Sequence, residues 1–245
     1  MNQRVVIIPA YREPETVRAV LARVPDALNA QVLVLDDGGN ADLPRTGERA
    51  RVLRVPNPAP GGHGNGAVVR FGLQAALDLG ADEIYRLDGD GQHDAQCLPA
   101  AAAALARAAD IVIGSRFHPL SPAPAPAPID RLLLNEAMRH LVHQLVDVRL
   151  TDVTSGFWAM RRRTVERVLP LLTTTGYGLT LELILRTASF AEITEIPHPR
   201  IYAGSTKMAD KYAPDQLETR CERAAVYLAV VSAVAAELGL DPIGA

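Results

Sequence analysis

The 245-residue sequence is poor in aromatic residues and cysteine, and it has neither a net positive charge nor a long apolar run. Phe, Trp and Tyr make up 4% of the chain, so a hydrophobic core has to be built mainly from Ala, Val, Leu and Ile. The formal net charge of −3 argues against a general binder of nucleic acids or anionic membranes, because both select basic surfaces. We therefore expect no nucleic acid among its partners.

The two cysteines and the longest apolar run indicate where the protein is expected to work. Cys97 and Cys221 lie far apart without CxxC spacing, which favours two reduced thiols over a disulfide. The longest uncharged apolar run covers thirteen residues, 224–236, whereas a membrane-spanning helix needs about 20. These features predict a cytoplasmic protein that is soluble or attached to the periphery of a membrane.

Short apolar runs alternate with helical patterns over the first half of the chain. Strands are predicted at 4–11, 31–39, 51–55, 82–88 and 110–115, where Val, Ile and Leu are frequent. Helical patterns separate most of them, which is typical of parallel βαβ units. The predicted fold is therefore α/β, a doubly wound, mainly parallel sheet with helices on both faces. Ligands of such sheets bind outside the carboxyl ends of the strands.

The second half of the chain predicts loops and longer helices. Residues 118–130 are rich in Pro and Ala and predict an extended loop, followed by a helix over 129–148. The segment 200–211 contains Gly, Ser and Thr and is predicted to form a lid over a site.

A last helix is predicted over 215–238. Its apolar residues recur at helical spacing as a stripe of Leu217, Cys221, Ala224, Leu228, Val231 and Leu238. We expect a catalytic domain over 1–213. The C-terminal amphipathic helix, 214–245, is expected to pack on this domain or on a second subunit of a homodimer.

The stretch YRLDGDGQHD places two carboxylates, Asp88 and Asp90, on either side of Gly89 where a predicted strand ends. One divalent cation can bridge both acids at this spacing, and Mg²⁺ or Mn²⁺ prefers carboxylate, water and phosphate oxygens. A cation with few protein ligands keeps positions for a diphosphate. A solvated acidic turn is the alternative, but the end of a buried strand and the following GQH favour a metal site.

Two further stretches contain acids or glycines where ligands bind in such folds. Asp36 and Asp37 end the second predicted strand, where acids often bind ribose or base edges, although a polar turn explains them equally well. The glycine-rich segment 61–76 resembles a phosphate-binding loop but lacks the Lys of a Walker A motif and the spacing of the dinucleotide fingerprint. Close packing of a helix is the alternative explanation for its glycines.

Several basic residues and histidines have an ordinary explanation when each is taken singly. The basic residues after the predicted sheet are Arg116, Arg131, Arg200 and Lys207, and each alone is expected to be a solvated charge. His140 and His143 lie near one helical face with Glu136, where polar surface positions are favoured over a metal site. His63 and Trp158 are interpreted either as ligand contacts or as ordinary packing.

Eight segments, in this order, resemble glycosyltransferase family 2, which has the nucleotide-sugar-binding GT-A fold. They are VIIPAYRE (6–13), VLDDGG (34–39), GHGNGAVVRFG (62–72), LDGDGQH (87–93), GSRF (114–117), DVTSGFWAMRR (152–162), LTLELILR (179–186) and RIYAGSTKM (200–208). They cover about the first 210 residues. Within the family, the sequence is similar to the dolichol-phosphate mannose synthase branch of polyprenyl-phosphate glycosyltransferases.

The resemblance implies an inverting, metal-dependent transferase. It would move a hexose from a nucleotide-diphospho sugar, GDP-mannose or a UDP-sugar, to a polyprenyl phosphate. The implied donor-binding residues are Pro9, Tyr11, Glu13, Asp37, His63, Gly64, Asp88 and Gly89. The implied ligands of Mg²⁺ or Mn²⁺ are Asp88, Asp90 and Gln92. The implied catalytic residues are Asp90 and, around the acceptor phosphate, Arg116, Arg131, Arg200 and Lys207.

Other functions remain open at this point. A soluble transferase of natural-product or saccharide assembly would use a small hydroxyl acceptor, which needs a general base. Asp152 and Glu182 are the candidates for that base. A nucleotidyltransferase is disfavoured because PAYREPE, and no glycine-rich loop, follows the first predicted strand. An inactive nucleotide-sugar binder is disfavoured because the acids of the metal motif are all present.

Overall fold

In the computed structural model of the protein, residues 2–38, 43, 50–57, 62–123, 126–202 and 217–240 are described, the side chains of 217–220 excepted. These residues form one seven-stranded sheet. Its strands are β1 (Arg4–Ala10), β2 (Ala30–Asp36), β3 (Ala50–Arg54), β4 (Glu83–Arg86), β5 (Ile111–Ser115), β6 (Trp158–Arg161) and β7 (Ile193–Pro197). Their order across the sheet is β3-β2-β1-β4-β6-β5-β7.

The sheet is mainly parallel, as predicted. β1 pairs in parallel with β2 and β4, and β3 and β7 extend the two edges in parallel with β2 and β5. β6 runs antiparallel between β4 and β5. The described helices are α1 (Pro14–Arg23), α2 (Asn65–Asp78), α3 (Leu98–Arg107), α4 (Ile129–Val146), α5 (Arg162–Val168), α6 (Leu179–Thr187) and α7 (Leu217–Leu238).

The central strand β1 shows why this scaffold is rigid. Its side chains alternate between two cores, so that Val5 and Ile7 pack on one face of the sheet and Val6 and Ile8 on the other. All four are fully buried, which is the burial expected of a parallel strand covered by helices on both faces. Trp158, for which a ligand contact was one interpretation, is 1% exposed and belongs to the core with Val5.

The last helix packs on the same chain with a face that differs from the predicted stripe. Tyr227, Val231, Val234 and Ala235 are buried, and α7 contacts α4 and α6. Three members of the predicted stripe face solvent instead: Cys221, Leu228 and Leu238. The prediction of that stripe is therefore wrong in part, because an almost uniformly apolar run has helical spacing on several faces at once.

None of the described helices, α7 included, combines the length and the apolar character needed to cross a membrane. An ion pair holds α7 near its C-terminal end, where Arg186 of α6 lies 2.6 Å from Glu237.

Candidate active site

A cleft of about 620 Å³ opens at the carboxyl ends of the central strands, a size suited to a small-molecule ligand. The acids that line it follow β1, β2 and β4, and we call them the acidic end: Glu13, Asp37, Asp88 and Asp90. Three of the arginines that line it follow β5 or lie on α4 and α7, and we call them the basic end: Arg116, Arg131 and Arg223. Arg12, after β1, and Arg86, at the end of β4, also line the cleft. The strand order separates the two ends because β6 lies between β4 and β5.

The loop after β4 presents the two predicted metal-binding carboxylates to the cleft. Gln92 donates from its backbone to Asp90 Oδ1 at 3.0 Å and from its side-chain amide to Oδ2 at 2.8 Å. Asp88 lines the same cleft as these two residues. Gly89, a predicted donor-binding residue, packs against the end of β1 and is not among the residues lining the cleft. A Cβ there would lie 2.8 Å from Val17 Cγ2 and 3.1 Å from the Pro9 carbonyl, so the tight loop requires glycine.

The donor set at this loop fits a hard cation. Within the described residues, no three His, Cys, Asp or Glu side chains converge on one point. Two carboxylates and one amide oxygen supply only part of a shell, and Mg²⁺ or Mn²⁺ completes such shells with water and phosphate oxygens. The assignment of Asp88, Asp90 and Gln92 as ligands stays a prediction.

Two buried histidines hold this loop from the protein side. His93 Nδ1 accepts the Asp88 backbone N–H at 2.9 Å, and His198 Nε2 accepts that of Asp94 at 3.0 Å. Burial lowers the pKa of His93 to about 3 and that of His198 to about 4, which keeps both rings neutral and able to accept. The role of His198 was not predicted, because it lies 104 residues from its partner Asp94.

Arg86, the last residue of β4, is a second feature that the sequence reasoning missed. Its Nη2 lies 2.8 Å from Asn65 Oδ1 and 2.5 Å from Asp88 Oδ1, and its side chain is 4% exposed. β4 is buried throughout, and an arginine at the end of a buried strand was the signal that could have revealed it.

The predicted donor-binding residues gather at the acidic end. Pro9, Tyr11, Glu13 and Asp37 all line the cleft. Arg12 adopts a φ of 53° at the same turn, a left-handed conformation that is uncommon for residues other than glycine and clusters at functional sites.

His63 supports Asp37 and is not among the residues lining the cleft. Its Nδ1 lies 2.5 Å from Asp37 Oδ1, its backbone N–H donates to Oδ2 at 2.8 Å, and Nε2 lies 2.7 Å from the Asn57 carbonyl. Both ring nitrogens face acceptors, which favours the protonated imidazolium. The hydrogen bond to Asp37 is the main reason that the pKa of His63 is raised.

The glycine-rich segment before α2 packs closely against the 174–176 loop. Gly66 N–H and Ala67 N–H donate to the carbonyls of Gly176 and Thr175 at 3.1 and 2.9 Å. A Cβ at Gly64 would lie 2.5 Å from the Thr175 carbonyl oxygen. These contacts favour the packing explanation over a phosphate-binding loop, because first-turn amides that would cradle a phosphate are already bonded. Gly64 itself lines the cleft.

At the basic end, Arg116 forms a bidentate pair with Asp152. Its Nε and Nη2 lie 2.7 and 2.9 Å from the two carboxylate oxygens, and Asp152 is fully buried. Burial acts to raise the pKa of Asp152, but Arg116 outweighs it and lowers the pKa below its usual value. The side-chain hydrogen bonds of Arg116 to Asp152 and Thr154 use Nε and Nη2, and the residue lines the cleft.

Glu182 is also buried in a closed network. Its carboxylate accepts from the backbone N–H of Thr173 and Thr174 at 2.9 and 2.8 Å and from Arg186 Nε at 2.9 Å. Burial acts to raise the pKa of Glu182, and these hydrogen bonds reverse the effect and lower it. Both general bases predicted for a hydroxyl acceptor are thus used in folding contacts.

The remaining basic residues differ in their positions. Arg131 lines the cleft from the first turn of α4. Arg200 lies beside the cleft, where Nε donates to the Arg116 carbonyl at 3.3 Å and the guanidinium lies 5.3 Å from the Phe117 ring centroid. Lys207, and most of the predicted lid, lie outside the described residues.

Arg223 of α7 lines the cleft, and no motif around it predicted this position. Its guanidinium lies 4.4 Å from the Tyr177 ring centroid, within the range of a cation–π contact. His140 and His143 lie on α4 and are not among the residues that line the cleft. The surface interpretation of these two histidines is thus favoured.

Comparison with protein-family models finds a match to Glycosyl transferase family 2 over residues 5–169. The chain is 32% identical over 200 residues to the undecaprenyl-phosphate mannosyltransferase of Micrococcus luteus, covering 78% of this chain and 80% of the relative. It is 29% identical over 206 residues to the polyprenol monophosphomannose synthase of Mycolicibacterium smegmatis, covering 80% of this chain and 76% of the relative.

Comparison with solved structures confirms the fold. Glucosyl-3-phosphoglycerate synthase of Mycobacterium tuberculosis, crystallised with Mn²⁺, uridine diphosphate and phosphoglyceric acid, has a TM-score of 0.65. The sequences are 17% identical, and the match covers 95% of this chain and 78% of the other. The same enzyme has also been crystallised with Mg²⁺ and uridine diphosphate, with a TM-score of 0.62 and 18% identity over 95% of this chain and 79% of the other.

Proposed function

This chain belongs to glycosyl transferase family 2 and is a glycosyltransferase, and we propose that it transfers a hexose from a nucleotide-diphospho sugar to a polyprenyl phosphate with inversion. The names of the relatives support mannose as the hexose, and the UDP complexes of the structural neighbours support a UDP-sugar as the donor. GDP-mannose is the alternative donor that the family resemblance implies. The proposed catalytic domain, 1–213, and the C-terminal helix, 214–245, would together form the active site, because α7 contributes Arg223 to the cleft.

One observation supports the choice of acceptor: within the described part of the chain, no carboxylate lines the cleft at the basic end, where a general base would have to lie. Among the described residues that line the cleft, every Asp and Glu belongs to the acidic end. Asp152 and Glu182 are buried and bonded to arginines. A hydroxyl acceptor has to lose a proton to a base, whereas a phosphate oxygen is already ionised. The arginines of the basic end therefore suit a phosphate.

The donor would bind at the acidic end. Asp88, Asp90 and Gln92 would hold Mg²⁺ or Mn²⁺, which would supply positive charge to stabilise the departing diphosphate. Tyr11 and Asp37 would border the base and ribose, and His63 fixes the Asp37 carboxylate through one hydrogen bond from its ring Nδ1 and one from its backbone N–H.

The acceptor phosphate would bind at the basic end. Arg131 lines the cleft, and Arg116 would donate from Nη1 while its other nitrogens remain bonded to Asp152. A guanidinium keeps its charge and offers several donors in one plane, which suits phosphate oxygens. The acceptor oxygen would then approach the anomeric carbon from the side opposite the diphosphate, which is the geometry of inversion.

An apolar surface beside Arg131 suits the lipid part of the acceptor. Ile129, Leu132 and Leu133 lie in the first turns of α4 and are 64%, 42% and 61% exposed, and we call them the apolar ledge. Neighbouring exposed apolar side chains mark interaction surfaces more often than isolated ones do. We propose that the apolar ledge makes peripheral contact with a membrane or with the polyprenyl chain.

The proposed function is tested by product formation. The purified protein, a labelled nucleotide sugar, Mn²⁺ and a short-chain polyprenyl phosphate should give a hexosyl polyprenyl phosphate, identified by mass spectrometry. EDTA and the variant Asp90→Ala should each abolish the product, with Glu166→Gln on the surface of α5 as a control. Undiminished product in both would refute the metal assignment.

A further inference from the structure

Arg86 is a buried cation within the acidic end, and the proposed mechanism does not use it. It lines the cleft, and its side chain is 4% exposed. Its Nη2 bonds to Asp88 Oδ1 at 2.5 Å and to Asn65 Oδ1 at 2.8 Å. Within the described residues its Nε is buried and has no hydrogen-bond partner. Arg86 is thus bonded to one predicted metal ligand and retains a donor that is not used.

The position of the ion pair is fixed by the backbone around it. A Cβ at Gly156 would lie 2.6 Å from Asp88 Oδ2 and 3.0 Å from Arg86 Nη1, so a side chain there would push into the pair. The Trp158 ring lies on another side, with its centroid 5.8 Å from the guanidinium carbon. The guanidinium therefore has little room to leave Asp88 without moving its neighbours.

The charge of Arg86 has opposite consequences for the two ligands of the acidic end. Asp88 and Asp90 carry two negative charges, and Arg86 compensates one of them. A divalent cation arriving alone meets a weaker attraction than two carboxylates would give, because Arg86 repels it and already bonds to Asp88. A diphosphate meets a positive charge even without the metal.

We propose that Arg86 makes the divalent metal and the donor diphosphate depend on each other for binding. Arg86 lowers the affinity of Asp88 for the free metal and provides a positive charge that attracts the diphosphate. The metal therefore binds tightly only together with the donor. The inference rests on the proposed function in that it takes a nucleoside diphosphate as the ligand of the acidic end.

A purely structural role of Arg86 makes a different prediction. If Arg86 only held Asn65 and Asp88 in place, its loss would disorder the site and weaken both ligands. The proposal requires the two affinities to change in opposite directions. This difference in sign separates the two roles without any measurement of turnover.

The experiment uses Arg86→Gln, which removes the charge and keeps polar contacts, and Arg86→Met as a second neutral variant. Arg86→Lys retains the charge. Arg70→Met on α2 is the control, because Arg70 lines a different surface pocket. Free Mn²⁺ is titrated by electron paramagnetic resonance without nucleotide, and GDP and UDP are titrated by calorimetry in EDTA. Circular dichroism confirms that each variant is folded.

In the neutral variants we expect the affinity for Mn²⁺ alone to rise about tenfold and the affinity for the nucleoside diphosphate in EDTA to fall about tenfold, the size of an ordinary charge-pair effect. Arg86→Lys and Arg70→Met should stay within about threefold of the wild type. A fall in both affinities, or no change in either, would overturn the proposal. If the wild type bound neither GDP nor UDP even with Mn²⁺, the proposed function would fail, and the Mn²⁺ titration would still decide the role of Arg86.

Discussion

The variant Asp152→Asn separates folding from catalysis at the basic end. Asp152 is fully buried and accepts from Arg116 Nε and Nη2 at 2.7 and 2.9 Å, and from the Arg116 and Thr154 backbone at 3.1 and 3.2 Å. Removing one partner of a buried pair leaves the other charge uncompensated, at a cost of about 3–5 kcal/mol. The asparagine retains some of these bonds, so we expect a loss of about 3 kcal/mol in the free energy of unfolding.

The measurement is urea denaturation followed by initial rates under conditions where the variant is folded. Glu166→Gln is the matched control, because its pair with Arg162 is exposed and should contribute less than about 1 kcal/mol. With a polyprenyl phosphate acceptor, the turnover of folded Asp152→Asn should stay within about tenfold of the wild type, since no proton has to be removed. Loss of a general base costs about 10²- to 10⁴-fold. A fall of that size with an unchanged free energy of unfolding would show that Asp152 acts as a general base and not as the buried partner of Arg116.

The pH dependence of stability follows from the same pair. The pKa of Asp152 is lowered in the folded protein, so the pair contributes its stability above the unfolded pKa of about 4. That contribution is lost as the pH falls through the lower folded value. In Asp152→Asn, the free energy of unfolding should therefore decrease less on acidification below a pH of about 4 than it does in the wild type.

Three further predictions follow from the two ends of the cleft and the apolar ledge. Arg131→Ala should raise the KM for the polyprenyl phosphate about tenfold or more and leave calorimetric donor affinity unchanged; an equal loss of donor affinity would contradict the assignment. The pKa of His63 is raised, so its bond to Asp37 stabilises the fold fully below pH of about 6.5 and less as the pH rises through the folded pKa. In His63→Gln, the melting temperature should change less with pH over this range than in the wild type. An unchanged pH dependence would contradict the stabilising role of the His63–Asp37 bond. Leu133→Asp should reduce flotation with vesicles that contain polyprenyl phosphate, whereas Leu228→Asp on the exposed face of α7 should not; equal flotation of both variants would exclude the apolar ledge.

The features that can be predicted from the sequence are those whose contacts lie close along the chain or whose position is set by the end of a strand. The apolar runs of β1 and β4 imply buried strands, and parallel neighbours bring the acids after them to one edge of the sheet. Asp37, Asp88 and Asp90 therefore line one cleft, as their positions in the sequence imply.

The features that the sequence did not reveal depend on contacts between distant segments. His198 reaches Asp94 across 104 residues, and Arg223 reaches the cleft only because α7 packs on α4 and α6. Asp152 was a candidate base because the sequence does not show whether a carboxylate is exposed or is buried and paired with an arginine. Its pairing with Arg116 depends on the antiparallel return of β6 beside β5, which no local pattern specifies.

We propose that a phosphate, and not a hydroxyl group, accepts the sugar, and a competition assay between the two acceptors distinguishes these alternatives. A short-chain polyprenyl phosphate and the polyprenol of the same length are supplied together with the nucleotide sugar and Mn²⁺, between pH 6 and 8.5. We predict that mass spectrometry finds the sugar on the phosphate alone at every pH. Transfer to the polyprenol or to an added saccharide, with none to the phosphate, would contradict the account.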